Sequence, residues 1–237
     1  MTALAVRDES PVGAEVVVAG VAILADPAGA LYWPEERILV VADLHLEKGS
    51  SYAARGVLLP PYDTAATLAR LALAINRYAP RAVIALGDSF HDGGGPARVL
   101  DEDRASLRLL QRGRDWIWIA GNHDPAPPLH LGGLVQAELT LGPLLFRHIA
   151  AAEASPGEVS GHFHPKAALN WRGRRLGGRC FIGDDRRLIL PAFGAYAGGL
   201  DVRDPAIAGL FGQRTRIHIL GQSRLHSFMA GQLAYLT

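Results

Sequence analysis

The sequence predicts an α/β fold, and three observations carry that expectation. Continuous apolar runs at Ile38–Ala42, Val83–Leu86 and Trp116–Ala120 have the length of buried strands covered on both faces. Between the first two, Leu68, Leu71, Ile75 and Tyr78 recur at helical spacing, which predicts a strand–helix–strand unit. Each run also ends abruptly in polar residues: Asp43-Leu44-His45, Gly87-Asp88 and Gly121-Asn122-His123-Asp124. In open α/β sheets such carboxyl ends of strands are where sites form.

Taken in order, Val16–Leu24 is rich in β-branched residues and is expected to form one central strand. Asp26-Pro27-Ala28-Gly29 is a turn signal, so Leu31–Trp33 pairs back as a hairpin. The helix after Pro60-Pro61 has Asp63 or Thr64 as its N-cap and Pro80 just beyond its end. Gly93-Gly94-Gly95-Pro96 leads into a second helix, Ala97–Gln111, stopped near Gly113. The second half turns to short strands at Leu134–Leu139, Leu144–His148, Arg179–Ile182, Arg187–Leu190 and Arg216–Leu220, with Gly183-Asp184-Asp185 as a hairpin turn. No internal repeat or long linker divides the chain, so one domain over residues 1–237 is the simpler expectation.

Charge is mildly asymmetric. Residues 1–118 hold 12 Lys+Arg against 15 Asp+Glu, and residues 119–237 hold 12 against 8. That permits a polyanionic substrate without demanding one. Cys180 is the only cysteine, which excludes an intramolecular disulfide and a thiolate zinc site. Met1–Pro11 meets charge at Arg7, Asp8 and Glu9 before an apolar signal core could form. Val16–Ala25 is far too short to span a bilayer, so a soluble, cytoplasmic chain with no membrane role is expected.

Two further strand ends deliver the same kind of residue: Leu144–Phe146 leads to His148, and Val159-Ser160 leads into Gly161-His162-Phe163-His164-Pro165. A pair of divalent cations needs one bridging carboxylate with neutral or anionic ligands around it. Asp43 and His45, two apart on an extended segment, project to one side and can share a metal. Asp88 can bridge, Asn122, His148 and His162 can serve the second metal, and His164 can close the first. Mixed Asp, His and Asn ligands suit manganese, iron or zinc better than an all-oxygen magnesium site.

Each signal has a plainer alternative. A single strand-end Asp or His is ordinarily a cap or a solvated group, and His148 has no local motif to set it apart from one. Asp92 either caps the following loop or touches the site. Lys48 and Arg55 stand close enough to the first ligand stretch to reach a phosphate, or are solvated charges. Arg172, Arg174, Arg175, Arg179, Arg186 and Arg187 form a basic cluster that either follows the backbone of a single strand or is a solvated face. Trp116 and Trp118 are expected to pack a sheet, Cys180 to be buried, and His130, His218 and His226 to be structural or surface residues.

Asp-x-His, Gly-Asp, Gly-Asn-His-Asp, a lone His after a strand and Gly-His-x-His, in this order, resemble the calcineurin-like metallophosphoesterase superfamily. The longer wording is similar to one bacterial branch, the ligase-associated DNA damage response endonucleases. It is carried by Asp43-Leu44-His45-Leu46-Glu47-Lys48-Gly49-Ser50-Ser51, Ala53-Ala54-Arg55-Gly56, Gly87-Asp88-Ser89-Phe90-His91-Asp92, Gly161-His162-Phe163-His164-Pro165 and Leu190-Pro191-Ala192-Phe193-Gly194-Ala195-Tyr196. The resemblance implies a four-layer α-β-β-α sandwich of two mixed sheets, and in-line attack on phosphorus by a metal-bridging hydroxide. It implies that His123 acts at the leaving-group oxygen with Asp124 orienting it. It also implies a genomic link to an ATP-dependent DNA ligase and a helicase. His91 departs from the acidic residue or Asn of many members and is expected beside the scissile phosphate or His123, off the metals. The leading expectation is a manganese-dependent endonuclease acting on DNA, single-stranded by preference. A small-molecule phosphodiesterase or phosphatase on the same centre is the alternative, and a scaffold without chemistry a more remote one.

Overall fold

The computed structural model describes residues 13–125, 129–153, 155–171, 174–212 and 214–233. The Met1–Pro11 stretch and Arg172 lie outside the described residues. Strands β1 (Ala14–Val18), β2 (Val21–Ala25), β3 (Leu31–Trp33), β4 (Ile38–Ala42), β5 (Ala82–Leu86), β6 (Asp115–Ile119) and β7 (Leu134–Gln136) form a first sheet in simple chain order. Pairing is antiparallel from β1 to β4 and parallel from β4 to β7. The expected central strand Val16–Leu24 is instead the β1–β2 hairpin at the sheet edge. Ala19 and Gly20 take φ of 49° and 81°, and two consecutive left-handed residues are what a two-residue hairpin turn requires.

Helices α1 (Lys48–Ala53), α2 (Asp63–Tyr78), α3 (Gly95–Arg98) and α4 (Asp101–Gln111) lie on this half of the chain. The apolar stripe of α2 buries Leu68, Leu71, Ala74 and Ile75 against the outer face of the first sheet. Asp63 and Thr64 do not cap that helix. Asp63 Oδ2 accepts the Lys48 and Gly49 amides at 2.8 and 3.2 Å, and Thr64 Oγ1 accepts the Glu47 amide at 2.9 Å, so the start of α2 anchors the start of α1. The expected helix Ala97–Gln111 is broken into α3 and α4 because Val99 and Leu100 are extended, with ψ of 125° and 150°.

The second sheet holds β8 (Glu138–Leu141), β9 (Leu144–Arg147), β10 (Glu158–Ser160), β11 (Lys166–Trp171), β12 (Arg174–Gly183), β13 (Arg187–Ile189), β14 (Arg216–Leu220) and β15 (Leu225–Met229). Its order is β15-β14-β12-β13-β10-β9-β8, and β11 pairs with β12 beyond that path. β9, β10 and β13 are parallel neighbours and the other pairs are antiparallel. The run Leu134–Leu139, expected as one strand, is shared between the sheets, with β7 ending at Gln136 and β8 starting at Glu138. Neither β11 nor β15 announces itself in the sequence, because alanines and polar residues blur their alternation.

Ile23, Val40, Ile84 and Ile119 of the first sheet meet Leu144, Phe146, Val159, Phe181 and Leu188 of the second in the central layer. Trp116 and Trp118 pack under the helices, on the outer face of the first sheet. Cys180, Ile182, Ile217 and Ile219 cover the outer face of the second, capped by Ile207 of the one-turn helix α5 (Pro205–Ala208) and by Phe211. A further turn, α6 (Ala230–Leu233), closes the described chain. The four layers are therefore present, with the fourth reduced to short pieces. No helix among the described residues is long and apolar enough to cross a membrane.

The arginines expected as one basic face are divided. Arg187 is 1% exposed, donates to the Ala151 carbonyl at 2.9 Å, and holds its Nε 3.5 Å from Glu158, which is fully buried. Arg179 donates to the Ala192 carbonyl at 2.7 Å, whereas Arg175 and Arg186 lie at the surface. Removing one partner of a buried ion pair strands the other charge. Arg187→Ala should therefore lower unfolding stability by about 3–5 kcal/mol in urea melts at neutral pH. A loss below ~1 kcal/mol would mean that Glu158 is satisfied by other groups.

Candidate metal centre

The polar strand ends converge on one rim where the two sheets meet. Asp43, His45, Asp88, His162 and His164 all have positive φ, at 54°, 43°, 45°, 71° and 48°. The extended geometry expected for Asp43–His45 is therefore replaced by left-handed turns. Each such residue costs roughly 1–2 kcal/mol and persists only where the surroundings fix it. Here the loops fix one another. His45 and Leu46 donate their amides to the carbonyls of Asp88 and Ser89 at 2.9 Å, and His91 donates back to Leu46 at 2.9 Å. Phe193 and Gly194 donate to the Ala42 and Asp43 carbonyls at 2.7 and 3.0 Å, stitching the second sheet to the first at the same level.

Two clusters result. In one, Asp43, His45 and His164 bring a ligand atom each within 4.8 Å of the others, with His45 Nε2 and His164 Nε2 only 3.1 Å apart. In the other, Asp88, His148 and His162 do the same. His148 is no solvated strand end: it is buried, and its Nδ1 donates to the Leu86 carbonyl at 3.0 Å. That bond fixes the tautomer and leaves Nε2 facing Asn122 Oδ1 at 2.9 Å, His162 Nδ1 at 3.2 Å and Asp88 Oδ1 at 3.4 Å. Asp88 spans the clusters, its Oδ2 lying 4.0 Å from His45 Nε2 while Oδ1 faces His148. Asp43 Oδ1 is buried with no hydrogen-bond partner, 3.4 Å from His164 Nε2.

Protonation states at His45, His162 and Asp88 favour ligation. Burial, followed by like-charge repulsion from His164, pushes the His45 pKa down to about 3. Burial and then His148 also lower His162. Burial works to raise Asp88, yet the hydrogen bond and charge of His148 hold it at about 2. Burial would lower His148, but its hydrogen bond with Asp88 and the Asp43 charge raise it instead. The site thus gathers carboxylate oxygens with the neutral rings of His45 and His162, and a cation would take the place of the proton that the carboxylates favour on His148. The orphaned Asp43 oxygen and the close Nε2 pair fit a pair of divalent ions.

His123 occupies the open edge. Its Nδ1 donates to the His91 carbonyl at 2.8 Å, so Nε2 points inward, 3.9 Å from Asp88 Oδ2, with the side chain 42% exposed. Asp124 does not orient this ring directly. Its Oδ2 accepts the Phe90 amide at 3.1 Å, and burial lifts its pKa to about 7. Asp124 therefore secures the Phe90–His91 segment, and the backbone carbonyl of His91 performs the orientation. The His91 ring stacks on His123 at 5.4 Å between centroids and meets His45 edge-on at 5.6 Å. Asp92 caps the loop, accepting the Gly94 amide at 2.9 Å and a two-pronged Arg98 contact at 2.8 and 2.9 Å. The Lys48 ammonium donates to the Tyr196 carbonyl at 2.9 Å, and the exposed Arg55 donates to Ser51 Oγ at 3.3 Å. Sequence reasoning missed the tether from Asp63 and Thr64; two polar residues opening a helix just after Pro60-Pro61 were its only signal.

Glycine allows the close approach of these loops. A Cβ on Gly121 would lie 2.1 Å from the Asp88 amide nitrogen and 2.3 Å from its carboxylate. Gly121→Ala should therefore displace Asp88 and weaken binding of both metal equivalents by ten-fold or more, in calorimetric titration of metal-free protein with manganese, about 1.4 kcal/mol or above. Unchanged affinity at either site would remove Asp88 from the shared position.

A family model described as calcineurin-like phosphoesterase matches residues 36–177. Among solved structures the chain is similar to the nuclease MPE of Pseudomonas putida, with 28% identity, TM-score 0.71, and coverage of 91% of this chain and 100% of that one. It also matches Yfce, a phosphoesterase from E. coli, at 12% identity and TM-score 0.42, over 81% of this chain and 98% of that one. No curated protein matches the sequence. The matched span runs from just before β4 into β12 and holds every residue of both clusters, and the chain belongs to the calcineurin-like phosphoesterases, hydrolases of phosphoester bonds.

Proposed function

We propose that this chain is a metal-dependent phosphodiesterase that cuts DNA internally. The observation that carries the reading is the pair of Asp/His clusters spanned by the Asp88 carboxylate, with His123 Nε2 beside it at the open edge. Asp43, His45 and His164 would hold one cation, Asn122, His148 and His162 the other, and Asp88 would serve both. Two divalent ions, manganese first with iron or zinc as alternatives, would supply Lewis acidity to the phosphoryl oxygens and a more acidic water.

The chain's own groups do the remainder. The His91 carbonyl holds Nδ1–H of His123, so Nε2 faces the departing oxygen and the imidazolium form can pass it the Nε2 proton, returning to the neutral ring. The His91 ring forms a wall behind His123; burial and then Lys48 lower its pKa, which keeps it neutral beside that proton. Lys48 and Arg55 stand on the same rim as contacts for a phosphate. Similarity to a bacterial nuclease supports a nucleic-acid substrate. The motif wording at Asp43–Gly56 and Gly87–Asp92 supports a cytoplasmic role in DNA repair, functionally linked to an ATP-dependent ligase and a helicase.

Metal-free protein restored with manganese should linearise circular single-stranded DNA and hydrolyse a generic diester, with little action on a phosphomonoester. Diester hydrolysis with the circle intact would replace DNA by a small-molecule diester, and preference for the monoester would make the protein a phosphatase. His123→Ala should keep both metals by elemental analysis while diester turnover falls about 10²-fold or more. Unchanged turnover would take His123 out of proton transfer.

A further inference from the structure

The β11–β12 ribbon has two unlike faces. The antiparallel register sets Lys166 opposite Arg179, Ala168 opposite Gly177 and Asn170 opposite Arg175. Opposed residues share a face and alternate ones return to it, so these six lie together. The other face carries Ala167 and Leu169, which are buried in the apolar layer outside the second sheet. The first face is thus cationic at both ends and nearly free of side chains in the middle. Four residues of strand separate the ends, about 13 Å.

Two adjoining cavities run along it. One of about 790 Å³ is lined by Lys166, Gly177, Gly178, Arg179 and Gly194, and another of about 530 Å³ by Lys166, Arg175, Gly177, Gly178 and Gly199. Shared lining makes them one groove, floored by glycine backbone and edged by positive charge. Its inner end abuts the metal centre: a Cβ on Gly199 would lie 2.1 Å from the His164 carbonyl oxygen. Among the described residues neither the Lys166 ammonium nor the Arg175 guanidinium has a hydrogen-bond or ion-pair partner. Asp201, the acidic group on the wall, is engaged by Arg203 at 2.8 and 2.9 Å. Burial and the charge of Lys166 lower the Lys48 pKa against the pull of Asp63, so positive potential continues from the groove to the rim.

Resting on the nuclease reading, we infer that this groove is the track for single-stranded DNA flanking the cut, its phosphates held by Lys166, Arg179 and Arg175. Cations at intervals along an open, backbone-lined trough suit an extended polyanion; a compact anion would need an enclosing pocket. The flat Ala168–Gly177 saddle lets the strand lie against the ribbon between its charged ends.

The double variant Lys166→Ala/Arg175→Ala tests this against wild type, with single-stranded DNA and a generic diester as substrates. DNA affinity at low salt should fall ten-fold or more, and the slope of log K against log salt should flatten by about 1.4, near 0.7 for each lost phosphate contact. Diester turnover should stay within two-fold, which also shows that the fold and metal centre survive. The charge-retaining Lys166→Arg/Arg175→Lys should bind DNA as wild type does. Wild-type cutting of DNA with the Ala variant unimpaired in affinity and salt slope would overturn the groove and leave the nuclease reading standing. A wild type that hydrolyses the diester but neither binds nor cuts DNA would overturn both.

Discussion

The rest of the structure is arranged around a crowded, buried set of metal-ligand atoms. His148 Nε2 lies 2.9 Å from Asn122 Oδ1, 3.2 Å from His162 Nδ1 and 3.4 Å from Asp88 Oδ1, and beside them lie the His45–His164 nitrogen pair and the orphaned Asp43 oxygen. Lone pairs so placed raise the free energy of the fold in a buried setting unless positive charge joins them. The scaffold has to hold these groups together against that tendency. It does so with five left-handed ligand residues, of which Asp43, His45 and Asp88 are tied to neighbouring loops through their backbones and His162 through its amide to Asp43 Oδ2.

Strain of this kind needs a rigid support, and the packing supplies it on three sides. The central apolar layer fixes the strands from which the loops leave. Hydrogen bonds from Phe193 and Gly194 bind the second sheet to the first at the level of Asp43. The start of α2 grips the Glu47–Gly49 backbone through Asp63 and Thr64. A side chain at Gly87, itself left-handed at φ 70°, would strike the His148 ring. Glycine, apolar core and polar tether therefore serve one geometric end.

Chemistry and substrate choice occupy different parts of the molecule. The clusters and His123 sit on short loops at strand ends, where small displacements would alter proton transfer and ligation. The cationic groove belongs to a ribbon outside the main path of the second sheet, with one face committed to packing and the other left to solvent. A fold built this way can keep its reaction while the ribbon changes, since the ribbon contributes no ligand atom to either cluster.

By itself the sequence determined the strands that are buried on both faces and the residue types that follow them. Ile38–Ala42 and Val83–Leu86 are too uniformly apolar to be anything but interior, and Asp or His directly beyond such a run marks a functional edge. The helical spacing from Leu68 to Tyr78 likewise needs only local periodicity to be read. What only the tertiary structure decided depends on distant partners. Whether Val16–Leu24 is one strand or two turns on the φ of Ala19 and Gly20. Whether Asp63 caps its own helix or another depends on where Lys48 comes to rest. The orientation of His123 passes to a backbone carbonyl, which carries no residue-specific signal in a sequence. Arg187 and Arg175, alike in the sequence, become a buried ion partner and an exposed cation because only one of them lies opposite Glu158.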